Sequence, residues 1–336
     1  MKIVSKSPCR VDLAGGTIDI WPLYLYHDSP VTVNFAVNRY THCTVTTRGD
    51  NRIVLRSRDL GVEESFESLD ALANARTYKL PLPAWLLRFF RPPMGLDVDT
   101  GSEAPAGAGI SGSSSLMITM GHALNRLMRT GYSTEKLREI CQNIESQIIR
   151  VPTGCQDYYP AMYGGVSAIA LSAAGIERTA IPVELDEFNS RFVLAYTGEP
   201  RNSGINNWEV MKAHINGDRK VHRNFDQIAA IARAMRQALT AGDWSEAGRL
   251  LREEWNHRRR NVPTITTDLI DQLVAATRRA GALGAKACGA GGGGCVVFLT
   301  DAGAQQRVIE VIQRLGAEVL PVRVAERGVA VKVHGK

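Results

Sequence analysis

The stretch that most constrains this chain is a glycine- and serine-rich loop that runs directly into an apolar helical pattern. It reads EAPAGAGISGSSSL over residues 103–116. Glycine lets the backbone approach a ligand closely, because no Cβ stands in the way. The first amides of a helix have no internal partner, and the helix dipole favours negative charge at that end. The stretch therefore predicts a phosphate-binding loop made by Pro105, Gly107, Ala108, Gly109, Ser111, Gly112, Ser113, Ser114 and Ser115.

The simplest alternative is a helix entry that is rich in glycine, capped by serine and without a ligand. Gly107, Gly109 and Gly112 match the dinucleotide pattern GxGxxG, but a proline-bearing linker precedes them and two helices are predicted to follow. The P-loop pattern GxxxxGK[ST] is not present either. Serine hydroxyls can cap a helix or bind a metal held by phosphates, so the three serines favour a nucleotide that binds together with a metal.

Composition narrows the class of protein. The chain has 336 residues, of which 44% are hydrophobic and 22% charged, as in an ordinary globular protein with room for two domains. No run of 18 apolar residues exists and the N-terminus has no signal-like apolar core, so we expect a cytoplasmic protein without a membrane span. Six scattered cysteines without a CxxC pair predict buried thiols. The net charge of +6 comes without a long basic tract, which favours a phosphorylated small molecule over nucleic acid.

Hydrophobic periodicity predicts an α+β fold. Short alternating β-branched segments, with hairpin signals between them, are mixed with helical patterns, which disfavours a doubly wound parallel sheet. An acidic stretch near residues 184–187 suggests a division into domains 1–188 and 189–336. The main predicted strands are 2–13, 31–37, 40–47, 166–171 and 192–196, and the main predicted helices are 113–128, 134–149 and most of 205–281.

Two carboxylates are candidates for phosphoryl-transfer chemistry. Asp157 follows Gln156 in a polar turn, where a carboxylate can orient an attacking hydroxyl and accept its proton. An ordinary turn residue is the alternative for Asp157. Glu145 lies on the preceding predicted helix and could hold Mg²⁺, or it could be an exposed helix charge.

Two further motifs complete the set of candidates. Arg10 lies on a predicted strand, where a buried arginine needs a partner, and Asp19 follows a GGT turn that suits a sugar hydroxyl. The segment KACGAGGGGC at residues 286–295 is either a flexible hinge or a loop pressed against a ligand or another loop. Its candidate residues are Gly289, Gly291, Gly292 and Gly293.

In this order the motifs resemble the GHMP kinases, the superfamily of galactokinase, homoserine kinase, mevalonate kinase and phosphomevalonate kinase. Residues 8–19, 105–115 and 286–295 look like the three family motifs. The resemblance implies a two-domain fold, with an N-terminal domain like the second domain of ribosomal protein S5 and a ferredoxin-like C-terminal domain. It also implies ATP and Mg²⁺ as cofactors.

Within the superfamily the chain is similar to sugar kinases related to D-glycero-D-manno-heptose 7-phosphate kinase. That likeness implies phosphorylation of a hydroxyl, expected to be anomeric, on a sugar or sugar phosphate. By resemblance, Asp157 matches the catalytic aspartate, Arg10 the arginine beside it and Asp19 a sugar-binding aspartate. Ser113 or Ser114, with Glu145, matches the Mg²⁺ ligands. Residues that fall where the acceptor lies are Gly15, Gly16, Thr17, Gln156, Thr197, Gly198 and Arg201.

Three alternatives remain open at this point. The chain could act on another sugar, as galactokinase does, or on a non-sugar alcohol such as mevalonate. It could also be a non-catalytic relative that only binds a ligand. Arg258 and Arg259 are compatible with an anionic acceptor, and equally with solvated charges at a helix end.

Overall fold

Two β-sheets carry the fold in the computed structural model, which describes residues 1–200 and 203–335. The strands, in chain order, are β1 (Lys2–Ala14), β2 (Val31–Thr47), β3 (Ile53–Ser57), β4 (Val62–Phe66), β5 (Leu96–Ser102), β6 (Val166–Ser172), β7 (Gly175–Ala180), β8 (Phe192–Tyr196), β9 (Ala282–Ala287), β10 (Cys295–Thr300), β11 (Glu318–Leu320) and β12 (Ala330–His334).

The α-helices are α1 (Leu69–Asn74), α2 (Pro81–Phe90), α3 (Gly112–Met128), α4 (Thr134–Ile149), α5 (Tyr158–Tyr163), α6 (Leu185–Arg191), α7 (Ser203–Ile215), α8 (Arg219–Ala241), α9 (Trp244–Asn261), α10 (Asp268–Arg279) and α11 (Gln305–Arg314). Short 3-10 helices lie at Leu23–Tyr26 and Pro263–Ile265. The mixture of antiparallel strands and helices confirms the predicted α+β class, and the helical prediction for residues 205–281 is confirmed by α7 to α10.

The larger sheet has the order β12-β1-β2-β5-β3-β4, with β6 added to β2 and β7 to β6. The sequence predicted two strands at residues 31–37 and 40–47, and this was wrong, because β2 is one continuous strand. Its partner β1 runs along its whole length, with Cys9 opposite Val37 and Pro8 opposite Tyr40. A bulge between these pairs absorbs the two extra residues of β2. Pro8 is tolerated because β12 pairs with β1 only as far as Lys6.

The smaller sheet has the order β11-β8-β10-β9 and is antiparallel throughout. Its edge strand β11 is short and ends at Leu320. The last strand, β12, returns to the larger sheet and pairs with β1. The segment from residue 189 onward therefore contributes one strand to the larger sheet. The division into domains near residue 188 stays a prediction.

The lobe built on the larger sheet and the lobe built on the smaller sheet share an apolar layer. Val11 and Val33 of the larger sheet belong to the same buried cluster as Leu194 and Val297 of the smaller one. A second cluster lies between the larger sheet and helices α2 to α5. All six cysteines are buried thiols, as predicted. Within the described part of the chain, no helix is long and apolar enough to cross a bilayer.

Candidate active site

A cleft of about 520 Å³ opens beside the N-terminus of α3. One wall is the glycine- and serine-rich loop, residues 104–114, and another is formed by the turn that leads into α5. Arg10 and Asp12, near the end of β1, line the same cleft. Three segments that are far apart in sequence therefore meet around one space, and two carboxylates from the sequence analysis, Asp19 and Asp157, both line it.

The loop has the backbone that its glycines suggested. Gly107 and Gly109 have φ angles of 69° and 79°, in the left-handed region. Ser111 precedes the first helical residue with a φ of 62°, and its buried hydroxyl has no hydrogen-bond partner among the residues that the structure describes. An unpartnered buried hydroxyl costs free energy, so a ligand that bonds to it would remove that cost. This orphaned hydroxyl fits the presence of a phosphate at the helix entry.

The three serines of α3 face different surroundings. Ser113 is exposed, and Ser114 donates a hydrogen bond of 2.9 Å to Glu145 Oε2. Ser115 faces the sheet, where its Oγ is 2.8 Å from Thr41 Oγ1 and donates to the carbonyl oxygen of Ser7 at 3.2 Å. Ser115 does not line the cleft, so its predicted contact with the nucleotide would have to come from its backbone.

Glu145 is buried and faces the cleft, instead of being an exposed helix charge. Tyr158 and Ser114 both hydrogen-bond to Oε2 of this carboxylate. Burial raises the pKa of Glu145, although the neighbouring hydroxyls lower it in part. Among the described residues no cationic side chain pairs with it, so a cation would relieve the burial of its charge. A carboxylate beside serine hydroxyls forms the hard-oxygen set that Mg²⁺ prefers.

Asp157 is held by Arg10. The Nε and Nη2 atoms of Arg10 donate to Asp157 Oδ1 at 2.9 and 2.6 Å. Arg10 is buried and also donates from Nη1 to the carbonyl oxygen of Gly109 at 2.7 Å. The same guanidinium thus ties the turn that carries Asp157 to the phosphate-loop candidate. Asp157 itself remains 23% exposed to solvent in the cleft.

Asp19 lies close to Asp157 at one end of the cleft. Its carboxylate accepts hydrogen bonds from the backbone amide and the side-chain Nε2 of Gln156, at 2.9 and 3.3 Å. Burial, together with the negative charge of Asp157, raises the pKa of Asp19 to about 7. Gly154 leaves the room for this carboxylate, since a Cβ at that position would lie 2.0 Å from Asp19 Oδ2.

The other residues predicted to bind the acceptor differ in whether they line the cleft and whether their polar groups are free to bind a ligand. The amides of Gly15 and Gly16 donate to Glu254 at 2.9 and 3.2 Å, so the protein itself takes up both donors. Thr17 lines the cleft and donates to Asn207 Oδ1 on α7 at 3.1 Å. Thr197 Oγ1 donates to the carbonyl oxygen of Gly294 at 2.9 Å, and neither Thr197 nor its neighbour Gly198 lines the cleft. Arg201 lies outside the described residues.

A buried ion network beneath the cleft was missed by the sequence analysis. Asp12 accepts from Lys286 Nζ at 2.7 Å and from the amide of Gly289 at 2.8 Å, and Arg258 lies 3.5 Å from it. Lys286 also donates to Glu254 at 3.1 Å. Burial by itself would raise the pKa of Asp12, but Lys286, Arg10 and Arg258 hold it well below its ordinary value.

This network distinguishes between the two interpretations of Arg258 and Arg259 at the end of α9, which were contact with an anionic acceptor and solvated helix charges. Arg258 is 4% exposed and donates to the carbonyl oxygen of Gly289 at 2.6 Å. The charge of Arg258 is therefore not solvated, and the guanidinium bonds to the protein itself as well as facing the cleft. Arg259 is 41% exposed and pairs with Asp271. Arg258 occupies a buried position because α9 packs its buried face against β9 and β1.

The glycine-rich segment between β9 and β10 presses against the phosphate-loop candidate. The amide of Cys295 donates to the carbonyl oxygen of Ala108 at 2.7 Å. Gly294 has a φ of 77°, and a Cβ there would lie 2.7 Å from the same oxygen. Gly292 donates to the carbonyl oxygen of Ile265 at 2.6 Å. The segment thus has the close loop-to-loop contact that its glycine content suggested.

Comparison with known proteins places the chain in a family. The model of the GHMP kinases N terminal domain matches residues 78–165, and the model of the GHMP kinases C terminal region matches residues 235–318. The chain belongs to the GHMP kinases. These enzymes are phosphotransferases, and ATP is the phosphate donor typical of the family. The resemblance stated from the three motifs is thereby confirmed, together with the two-domain fold that it implied.

Curated relatives of this GHMP kinase include sugar kinases. The D-glycero-alpha-D-manno-heptose 7-phosphate kinase of Campylobacter jejuni is 25% identical over 321 residues, which cover 93% of each chain. The L-fucokinase/L-fucose-1-P guanylyltransferase of Bacteroides fragilis is 29% identical over 91% of this chain, which spans 35% of that longer protein. A galactokinase of Thermotoga maritima is 24% identical over 91% of both chains.

Solved structures support the fold. A D-glycero-D-manno-heptose 1-phosphate kinase from Bacteroides thetaiotaomicron superposes with a TM-score of 0.78 at 21% identity, over 99% of this chain and 100% of that one. A galactokinase of Lactococcus lactis in complex with galactose gives a TM-score of 0.78 at 20% identity, over 98% of this chain and 95% of that one. At these identities the likeness concerns the fold alone.

Proposed function

We propose that this GHMP kinase transfers the γ-phosphate of ATP to a hydroxyl of a sugar or sugar phosphate, with Mg²⁺ as cofactor. The observation that carries the proposal is that Asp157, held by Arg10, lines the same cleft as the glycine loop at the N-terminus of α3. Phosphoryl transfer depends mainly on positioning and on neutralising charge, and these groups provide both. The heptose 7-phosphate kinase relative favours an anomeric hydroxyl of a heptose phosphate as the acceptor.

The donor side of the cleft would be formed by the loop. Backbone amides at the start of α3, with the hydroxyls of Ser111 and Ser113, would bind the phosphates. Ser114 and Glu145 provide the oxygen ligands for Mg²⁺. When bound, Mg²⁺ would neutralise charge on the phosphates, which lowers the barrier to transfer. Ser113 is an alternative metal ligand, because it is exposed at the cleft beside the same carboxylate.

The acceptor side would be formed by the two aspartates. Arg10 occupies Oδ1 of Asp157, and no protein donor among the described residues hydrogen-bonds Oδ2, so that oxygen can accept the proton of the acceptor hydroxyl. Arg10 acts as a positioning residue, because its guanidinium fixes the carboxylate relative to the loop. Asp19 and Gln156 would bind other hydroxyls of the sugar.

An ADP-release assay with a panel of acceptors tests the class of substrate. The panel contains D-glycero-D-manno-heptose 7-phosphate, galactose, L-fucose and mevalonate, each with ATP and Mg²⁺. We expect turnover with a sugar or sugar phosphate and none with mevalonate. Release of ADP with mevalonate alone would contradict the proposal. No release with any acceptor, while ATP binds, would favour a ligand-binding relative without activity.

The variant Asp157→Asn tests the role of the carboxylate. It keeps an oxygen for Arg10 but removes the base, so we expect kcat to fall by about 10²–10⁴-fold. The dissociation constant for ATP, measured by calorimetry, should stay unchanged. Asp70→Asn is the matched control, because Asp70 is an exposed carboxylate outside the cleft. Turnover of Asp157→Asn at the wild-type rate would exclude the assigned role.

A further inference from the structure

Three histidines from separate elements converge near the end of α7, and none of the three lines the cleft. His27 follows the 3-10 helix Leu23–Tyr26, His214 lies near the end of α7 and His222 lies in the first turn of α8. One ring nitrogen from each lies within 4.8 Å of one ring nitrogen from each of the other two. His27 and His214 are buried, although imidazole is a polar side chain. Such convergence needs a physical reason.

The hydrogen bonds of the cluster leave it with unused lone pairs. His27 Nδ1 is 2.7 Å from a carboxylate oxygen of Asp226 and so donates its proton, which leaves a lone pair on Nε2. That Nε2 is 2.8 Å from His214 Nε2, which must then be the donor of the two. Consequently His214 Nδ1 also carries a lone pair, and within the described part of the chain this buried atom has no hydrogen-bond partner.

His222 adds a third nitrogen of the same kind. Its Nε2 donates to the carbonyl oxygen of His214 at 2.9 Å, so a neutral ring keeps a lone pair on Nδ1. The rings of His214 and His222 stack, with centroids 3.7 Å apart. Neutral imidazole is the form that binds metals.

We propose that His27, His214 and His222 form a binding site for one transition-metal dication such as Zn²⁺, separate from the Mg²⁺ site of the cleft. Three imidazole nitrogens are a zinc ligand set, whereas Mg²⁺ prefers oxygen. Two nitrogens on one Zn²⁺ lie about 3.3 Å apart, since each Zn–N bond is about 2.0–2.1 Å. His27 Nε2 and His214 Nε2 therefore need to separate by only about half an ångström. The proton on His214 Nε2 would move to Nδ1 of the same ring, which stays neutral.

Asp226 supplies the usual support for such a ligand. A histidine that binds a metal through one nitrogen commonly donates its other N–H to a carboxylate, which fixes the orientation of the ring. His27 already has this arrangement with Asp226. The bound metal would connect the end of α7, the start of α8 and the segment after Leu23–Tyr26. Because Asn207 of α7 hydrogen-bonds Thr17 in the cleft, the metal would stabilise one wall of the active site.

Calorimetric titration of the full chain, produced without a histidine tag and treated with EDTA, tests the site without ATP or sugar. We expect one equivalent of Zn²⁺ to bind and to raise the melting temperature. Titration with Co²⁺ should give visible absorption of a nitrogen-ligated ion. Wild-type protein that binds no Zn²⁺, or shows no rise in melting temperature with it, would overturn the proposal.

Two variants locate the metal. His222→Gln should weaken Zn²⁺ binding at least tenfold, because it removes a ligand. Asp226→Ala changes a side chain that is 57% exposed and should weaken binding roughly 10–100-fold while the protein stays folded. The control is His42→Gln, since His42 is an exposed histidine outside the cluster. Equal affinity in Asp226→Ala, His42→Gln and wild type would assign the metal elsewhere and overturn the site.

Discussion

The phosphate-loop candidate and the buried ion network lie side by side, but their polar groups differ in whether the protein itself satisfies their hydrogen bonds. In the loop, the hydroxyl of Ser111 has no hydrogen-bond partner in the described part of the chain, and Ser113 is exposed. In the network, Asp12 is bonded by Lys286, Arg258 and the amide of Gly289. The first region leaves its donors for a ligand, and the second uses its charges to join the two lobes. Polar residues in a motif therefore do not by themselves mark the place where a ligand binds.

The largest effect on stability is expected from Lys286→Met. Lys286 is fully buried between Asp12 and Glu254. Its loss therefore removes the ion-pair partner of Glu254 and leaves Asp12 with the more distant Arg10 and Arg258. Breaking a buried ion pair in this way costs about 3–5 kcal/mol of unfolding free energy. Urea denaturation measures this loss, and the control is the exposed Lys136→Met. If the two variants lose the same small amount, the network does not hold the lobes together.

A second effect concerns pH and the carboxylate of Asp19. Its pKa of about 7 in the folded protein exceeds the ordinary value of 3.8, so the folded state binds this proton more tightly. The contribution of Asp19 is therefore most favourable below about pH 4 and is lost as the pH rises through 7. The change is about 4 kcal/mol, because the two pKa values differ by about 3 units and each unit corresponds to about 1.4 kcal/mol.

The variant Asp19→Asn isolates this contribution. Other carboxylates have their own pH dependence, so the informative quantity is the difference between variant and wild type. We expect the unfolding free energy of Asp19→Asn to fall less than that of the wild type between pH 5 and pH 8. Urea titrations at both pH values measure it. Parallel curves would show that Asp19 does not change its charge in this range.

The smallest effect separates the two regions most cleanly. Ser111→Ala removes a hydroxyl that has no hydrogen-bond partner among the described residues, so the unfolding free energy should fall by no more than about 0.5 kcal/mol. If that hydroxyl binds a phosphate, the affinity for ATP should fall by about 0.5–1.5 kcal/mol, or roughly 2–10-fold. The exposed Ser190→Ala is the control for both measurements. Unchanged ATP affinity in Ser111→Ala would remove this residue from the nucleotide site.

The sequence predicted those features that depend on neighbouring residues. The loop and the start of α3 were predicted because glycines, serines and an apolar period follow one another along the chain. The sequence also predicted that Arg10 would be buried beside a partner, because a charged side chain on a buried strand requires a group that pairs with it. These are local signals, which tertiary structure seldom reverses when several of them agree.

Features that depend on distant pairing were not predicted. Lys286 and Asp12 are 274 positions apart, and nothing in either segment specifies the other. The continuous β2 results from its pairing along β1, which overrides the apparent break at residues 38–39. The three histidines likewise come from segments up to 195 residues apart, from His27 to His222, so only the fold brings them together.

The proposed kinase activity requires that the N-terminus of α3 bind a triphosphate within reach of Asp157. A crystal structure with Mg²⁺, a non-hydrolysable ATP analogue and a sugar acceptor tests it most directly. We expect the phosphates of the analogue to accept hydrogen bonds from the backbone amides of residues 109–114. The acceptor hydroxyl should lie about 2.6–3.2 Å from the Asp157 carboxylate. A nucleotide bound outside this cleft, or protein atoms between Asp157 and the terminal phosphate, would contradict the account.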